Sequence, residues 1–213
     1  MLKIKIFVFN PFQENTYLLW DANTKEALVA DPGISNEQEE IEFSGFITQQ
    51  ELKVKYLLNT HCHIDHIIGN SFVKEKYGCK FYAPQKDIPL LQQLPEQTEM
   101  FGLNRKESPM PDEYLEEDLI LTLGESKINM IFTPGHTPGE FCFYSKEDKI
   151  CISGDVLFKE GIGRTDLWGG NYQTLISSIQ EKLFILPDDV KVYPGHGKET
   201  SIGHEKNNNP FLT

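Results

Sequence analysis

The feature that most narrows what this chain can fold into is the run Thr60-His61-Cys62-His63-Ile64-Asp65-His66. Three histidines and one aspartate stand within six residues, directly after the apolar run Val54-Lys55-Tyr56-Leu57-Leu58. Packing offers no reason for that density. Neutral imidazole and carboxylate together suit zinc, iron or manganese. The order around the run is strand, loop, helix, strand, the pattern of a layered α/β fold. Ligand sites in such sheets lie beyond the carboxyl ends of the strands, where this loop falls.

Three later loops repeat the theme. Thr133-Pro134-Gly135-His136-Thr137-Pro138-Gly139, Ser153-Gly154-Asp155 and Tyr193-Pro194-Gly195-His196-Gly197 each follow a strand-like run. Each carries one metal-ligating type on a turn with glycine. Of the six histidines, five (His61, His63, His66, His136 and His196) sit in these loops, and only His204 is left as a surface residue. With Asp65 and Asp155 the candidate ligands are seven. One ion takes three or four protein ligands, so seven suit two ions if one carboxylate bridges. His61 and His63 alternate on an extended segment and point the same way, which suits one ion. Asp65 and His66, displaced around the turn, suit the other. Cys62 points away from its neighbours and reads as neither ligand nor nucleophile. Two divalent ions about 3.5–4 Å apart can share a hydroxide, and metal lowers the pKa of bound water to about 7. No G-x-S-x-G elbow and no phosphate loop is present, so the expected chemistry is metal-assisted hydrolysis.

The elements that carry these loops follow from periodicity. Strands are expected at 2–9, 16–20, 26–30, 54–58 and 80–83, then at 119–123, 129–133, 140–144, 149–153 and 190–193. Helices are expected at 37–50, with Asn36 as N-cap, from about Ile67 to Tyr77, closing at Gly78, and over 172–186. Gln85 to Leu94 reads as a short helix. Residues 95–117 read as a long surface excursion, either a lid or a loose insertion. The tail 198–213 reads as short and polar. No linker divides the chain, so 1–213 is expected to be one domain.

Charge and cysteine usage exclude several classes. The net charge of −12 disfavours nucleic acid and anionic membranes as partners. No apolar run approaches the roughly 18 residues of a membrane span. The first residues alternate as a strand rather than forming a signal peptide, and no CxxC pair occurs. A reduced, cytoplasmic setting is therefore expected. Cys79, Cys142 and Cys151 read as small core residues.

At these residues the sequence resembles the metallo-β-lactamase superfamily: His-x-His-x-Asp-His at 61–66, then His136, Asp155 and His196 in that order. The resemblance implies a four-layer αβ/βα sandwich. It implies that His61, His63 and His136 hold one metal ion, that Asp65, His66 and His196 hold a second, and that Asp155 bridges. Within the superfamily the chain is similar to the glyoxalase II-like hydrolases, through Thr133 to Gly139, Gly154-Asp155-Val156-Leu157-Phe158, Gly161-Ile162-Gly163-Arg164-Thr165-Asp166, Asn15-Thr16-Tyr17 and Asp31-Pro32-Gly33. That family cleaves the thioester S-D-lactoylglutathione to D-lactate and glutathione, so a small-molecule thioester is the expected partner. Two divalent ions are the expected cofactors, zinc first, with iron or manganese as alternatives. Asp65 is then also catalytic, orienting the hydroxide. Only residues 197–213 follow His196, so the chain resembles the short, single-domain branch, which lacks the basic C-terminal region that grips glutathione. Arg164 and Lys159 are the candidates to bind a substrate carboxylate in its place.

The strongest rival reading shares the fold. It is a persulfide dioxygenase, with one iron held by two His and one Asp, and the Gly-Arg-Thr-Asp run at 163–166 is similar to its members too.

Overall fold

The computed structural model describes residues 1–103 and 107–212. Two six-stranded sheets face each other, and each carries helices on its outer surface. The first sheet takes β1 (Leu2–Phe9), β2 (Glu14–Asp21), β3 (Glu26–Ala30), β4 (Lys53–Leu58), β5 (Lys80–Ala83) and β6 (Glu113–Tyr114) in chain order. Its first three strands pair antiparallel and the remainder parallel, with α1 (Glu37–Gln49) crossing from β3 to β4. The second sheet runs β14-β13-β10-β9-β8-β7. It is built from β7 (Ile120–Leu123), β8 (Ser126–Phe132), β9 (Phe141–Ser145), β10 (Ile150–Gly154), β13 (Lys191–Pro194) and β14 (Thr200–Ser201). A small hairpin, β11 (Leu157–Phe158) with β12 (Gly161–Ile162), follows β10.

Period-two alternation explains the layers. Leu28 and Ala30 of β3 point between the sheets, while Ala27 and Val29 point outward under the helices. Ile150 and Ile152 of β10 face the inter-sheet core, and Cys151 faces the opposite helix layer. Both faces of these strands are buried, so they read as near-continuous apolar runs. The outer layer of the first sheet is α1, α2 (Ile64–Ile67), α3 (Asn70–Tyr77), α4 (Ile88–Gln92) and α5 (Leu94–Met100). That of the second is α6 (Tyr172–Ser178), its wider-wound continuation Ile179–Leu183, and α7 (Ile202–Asn208). The layers are α, β, β, α, as expected. Among the described residues no helix is long and apolar enough to cross a membrane.

The caps follow the sequence signals. The Asn36 side chain accepts from the Glu39 N–H, and Gly78 closes α3 in the left-handed conformation. Cys62, Cys79, Cys142 and Cys151 are all free and buried. Three expectations change. The helix expected from Ile67 starts earlier and is split in two, because the Gly69 N–H turns aside to the Pro32 carbonyl. The helix expected over 172–186 widens after Ser178, its end bonded from Phe184 N–H to Ile179 O. The stretch 95–117 is not one excursion. It contains most of α5, which tolerates Pro95 because a first-turn proline lacks only an N–H that has no partner there. It also contains β6, which is two residues long and too short to alternate. Residues 104–106 of that stretch lie outside the described residues. The short polar tail carries a helix for which no expectation was stated: Ser201 caps α7 by accepting from His204 N–H, and Ile202 enters the core.

Candidate metal centre

Each candidate ligand sits where a strand ends. The 61–66 run follows β4, His136 follows β8, Asp155 follows β10 and His196 follows β13. β10 and β13 run parallel, with Gly154 paired to Pro194, so Asp155 and His196 leave the sheet on the same side. The two sheets are stitched at this edge. Asn15 N–H donates to Gly195 O at 2.8 Å, its side-chain amide reaches Pro194 O and Gly197 O, and Phe141 N–H donates to Thr60 O.

The seven side chains converge. Donor atoms of His61, His63 and His136 lie within 4.8 Å of one another, as do those of Asp65, His66 and His196. A third set of the same size, His61, His66 and Asp155, joins the first two. The Asp155 carboxylate is 3.6 Å from His66 Nε2 through one oxygen and 3.6 Å from His136 Nε2 through the other.

Outer partners fix which nitrogen faces inward for His136, His61 and His66. His136 Nδ1 lies 2.8 Å from the Arg164 carbonyl, which can only accept, so Nδ1 carries the proton and Nε2 a lone pair. Thr60 donates its hydroxyl proton to Asp31 at 2.6 Å and can then only accept from His61 Nδ1 at 3.1 Å, which leaves His61 Nε2 bare. His66 Nδ1 stands 3.2 Å from Asp31 and its Nε2 faces Asp65 and Asp155. His196 Nε2 is 3.0 Å from Asp65.

Burial separates the two groups of rings. It pushes the His61 imidazolium well below the ordinary histidine range and His63 down to about 3, and it lowers His136 as well, helped by neighbouring rings at His61 and His63. These three are neutral imidazoles, the form that binds metal. Burial opposes protonation of His66 too, but Asp65, Asp155 and Asp31 outweigh it and raise that ring well above its ordinary value. His196 shifts upward in the same way, against burial, through Asp65 and Asp155. Asp65 is held below the usual carboxylate range because His66 and His196 overcome its desolvation.

Among the described residues, His61 Nε2, His66 Nε2 and Asp155 Oδ1 are buried without a hydrogen-bond partner. Three unpartnered polar atoms aimed into one cluster are what a cation would satisfy. Histidine nitrogens and carboxylate oxygens are the matching donor set, so the residues fit a dinuclear metal site. His61 and His66 are fully buried, whereas His196 keeps 30% of its side chain exposed, which marks the open side.

The two candidate substrate residues sit outside this cluster. The Arg164 guanidinium makes a two-bond pair with Asp166 at 2.8 Å and is exposed, as is Lys159. Arg164 thus meets the cluster through its carbonyl, not its charge. Sequence reasoning also passed over Asp31 and Glu140. Asp31 accepts from Thr60 N–H and hydroxyl, and Glu140 accepts from Asp155 N–H at 2.8 Å with His61 Nδ1 3.5 Å away. Asp31 was legible as the turn residue of Asp31-Pro32-Gly33. Glu140 signalled itself only as a lone acid entering an apolar strand.

Gly135 shows how closely the His136 loop is docked. A β-carbon there would meet Leu175 N at 2.3 Å and Leu175 Cα at 2.4 Å, and its φ of 141° disfavours side chains. The loop is also tied to α6 by Asn171 N–H to Gly135 O and Ser178 hydroxyl to Pro134 O. Gly135→Ala is expected to cost about 2–4 kcal/mol in urea unfolding, from backbone strain plus overpacking. An unchanged unfolding midpoint would show that α6 yields freely.

The sequence model of the metallo-beta-lactamase superfamily matches residues 9–196. The hydroxyacylglutathione hydrolase GloC of Haemophilus influenzae is 41% identical over 99% of this chain and 98% of its own length. Two crystal structures share the fold at near-complete coverage. The BLEG-1 B3 metallo-beta-lactamase is 34% identical with a TM-score of 0.89, covering 99% of this chain and 100% of its own. The protein TTHA1623, solved in a di-iron-bound form, is 31% identical with a TM-score of 0.86, covering 98% and 100%.

Proposed function

The chain belongs to the metallo-beta-lactamase superfamily, and from that premise we propose that it is a metal-dependent hydrolase of small thioesters, S-D-lactoylglutathione among them. The observation that carries this reading is the pair of adjacent donor sets with Asp155 facing both. The relative named as a hydroxyacylglutathione hydrolase supports the substrate class. In this reading His61, His63 and His136 would hold one ion and Asp65, His66 and His196 the other, with the Asp155 carboxylate facing rings of both sets. Zinc suits the donor set, and iron suits it equally. When bound, two such ions supply Lewis acidity and a water acidic enough to ionise near neutral pH.

The remaining work falls to the chain. Arg164 O and Thr60 hold His136 and His61 in single tautomers, so both present lone pairs inward. Asp65 stands at the partly open side beside His196. Its carboxylate accepts a hydrogen bond from the attacking water and aims its lone pair at the carbonyl. A thioester needs no strong acid, because a thiol of pKa about 8.5 departs readily as thiolate. Arg164 and Lys159 reach for a substrate carboxylate. The Asp166 pairing is no obstacle, since an ion pair exposed to water on both sides is weak and readily exchanged.

The test is loss of thioester ultraviolet absorbance from S-D-lactoylglutathione, with protein reconstituted separately with zinc and iron. Turnover of about 1 per second or faster is expected. Activity no higher than that of the metal-free protein would end the thioester assignment. Two arms catch other chemistries. Oxygen uptake with glutathione persulfide and iron-loaded protein would make it a dioxygenase. Cleavage of a chromogenic β-lactam, an arm suggested by the 34% identical structure, would make it a lactamase.

A further inference from the structure

Asp87 is an acid with no exposed surface that stands apart in sequence from every candidate ligand. It ends the 3₁₀ turn after β5 and occupies the N-cap position of α4, where an aspartate normally binds its own helix. Here its side chain makes no capping bond. The carboxylate turns instead to two distant loops. Its Oδ2 accepts from the Thr137 hydroxyl at 2.7 Å and from Cys62 N–H at 3.3 Å, and its Oδ1 accepts from Gly139 N–H at 2.7 Å. Cys62 lies between His61 and His63, and Thr137 follows His136. The three donors therefore come from the two segments that carry the first donor set, Cys62 lying between two of its rings, while Asp65 and His66 of the second set lie beyond it on α2. The fit is close: a β-carbon on Gly139 would lie 2.5 Å from Asp87 Oδ1.

The second donor set has other anchors. His66 is held by Asp31 and by the Asn59 side chain bonded to its carbonyl, and the His196 loop is held by Asn15. None of these bonds involves Asp87. We infer that Asp87 is a positioning residue that braces the His61/His63 loop against the His136 loop and so sets the affinity of the first metal site without setting that of the second. The inference rests on the two-site reading proposed above.

It is tested by titrating metal-free protein with cobalt(II), following visible absorption, and by chelator competition to obtain both dissociation constants. His136→Ala and His196→Ala chains each lose one binding step and so identify the two sites. In Asp87→Asn, the step lost by His136→Ala is expected to weaken about 10- to 100-fold. The step lost by His196→Ala is expected to stay within about two-fold of the parent. Thr137→Val keeps the carboxylate and removes one bond, and should weaken the same step by roughly three- to ten-fold. Thr137→Ser, which restores the hydroxyl, should return it to the parent value. A merely structural role would weaken both steps together. Equal weakening of both steps, or no weakening of either, overturns the inference. If Asp87→Asn does not fold, the Thr137→Val and Thr137→Ser pair decides alone. A parent protein that binds no pair of ions would instead overturn the two-site reading, and the brace with it.

Discussion

Replacing Asp155 by alanine is expected to lower kcat/KM for the thioester by about 10³-fold. The loss of a preorganised electrostatic group alone costs 10²–10³, and this group serves two donor sets. One carboxylate oxygen lies 3.6 Å from His66 Nε2, and the other lies 3.6 Å from His136 Nε2 and 3.9 Å from His196 Nε2. No other acid faces rings from both sets in this way among the described residues. Alanine keeps the backbone N–H bond to Glu140 and the strand pairing of β10, so the fold should stand. Metal analysis should then show one ion or fewer per chain. Asp155→Asn, of nearly equal volume but neutral, separates charge from shape and should lose almost as much. A variant that keeps more than about a tenth of the parent activity would remove Asp155 from the mechanism.

Metal removal should be the largest single change in stability. Without a cation, His61 Nε2, His66 Nε2 and Asp155 Oδ1 are buried and unpaired, at about 1–3 kcal/mol each. Protonation of His66 among Asp65, Asp155 and Asp31 offsets part of that cost. An ion that binds only the folded state adds about 4 kcal/mol at a free concentration a thousand times its Kd. For a chain of this size each kcal/mol moves Tm by roughly 2–4 °C. A single tight ion should therefore raise Tm by roughly 8–16 °C. Scanning calorimetry of chelator-treated and zinc-reconstituted protein measures the shift directly. A difference under about 2 °C would mean that the cluster does not bind metal tightly.

The sequence declared the sandwich and its metal-ligating candidates for different reasons. The strands were visible because burial leaves 26–30 and 54–58 largely apolar and puts Ile150-Cys151-Ile152 at the centre of 149–153, all over short lengths. The seven candidate ligands were visible because so few residue types suit a metal, and because five of six histidines fall at strand ends. Helix α5, strand β6 and helix α7 were not visible. Each is seven residues or fewer, and docking against a neighbour supports it rather than its own periodicity. The side chains that hold the rings were harder still. Asp31 was marked only as a turn residue and Glu140 only as a lone acid entering a strand, Asp87 had nothing local to mark it, and Arg164 acts on His136 through a carbonyl that every residue has.

The sequence by itself thus determined the strand runs, the order of the loops and the chemistry of the donors, because periodicity and residue type are local properties, while the four layers were implied by the family resemblance. Only the tertiary structure decided which donors meet, which ring nitrogen each presents and which buried acids hold them. Those depend on contacts between segments far apart in the chain, such as the 146 residues between Leu2 and its partner Asp148, or the 50 between Asp87 and Thr137.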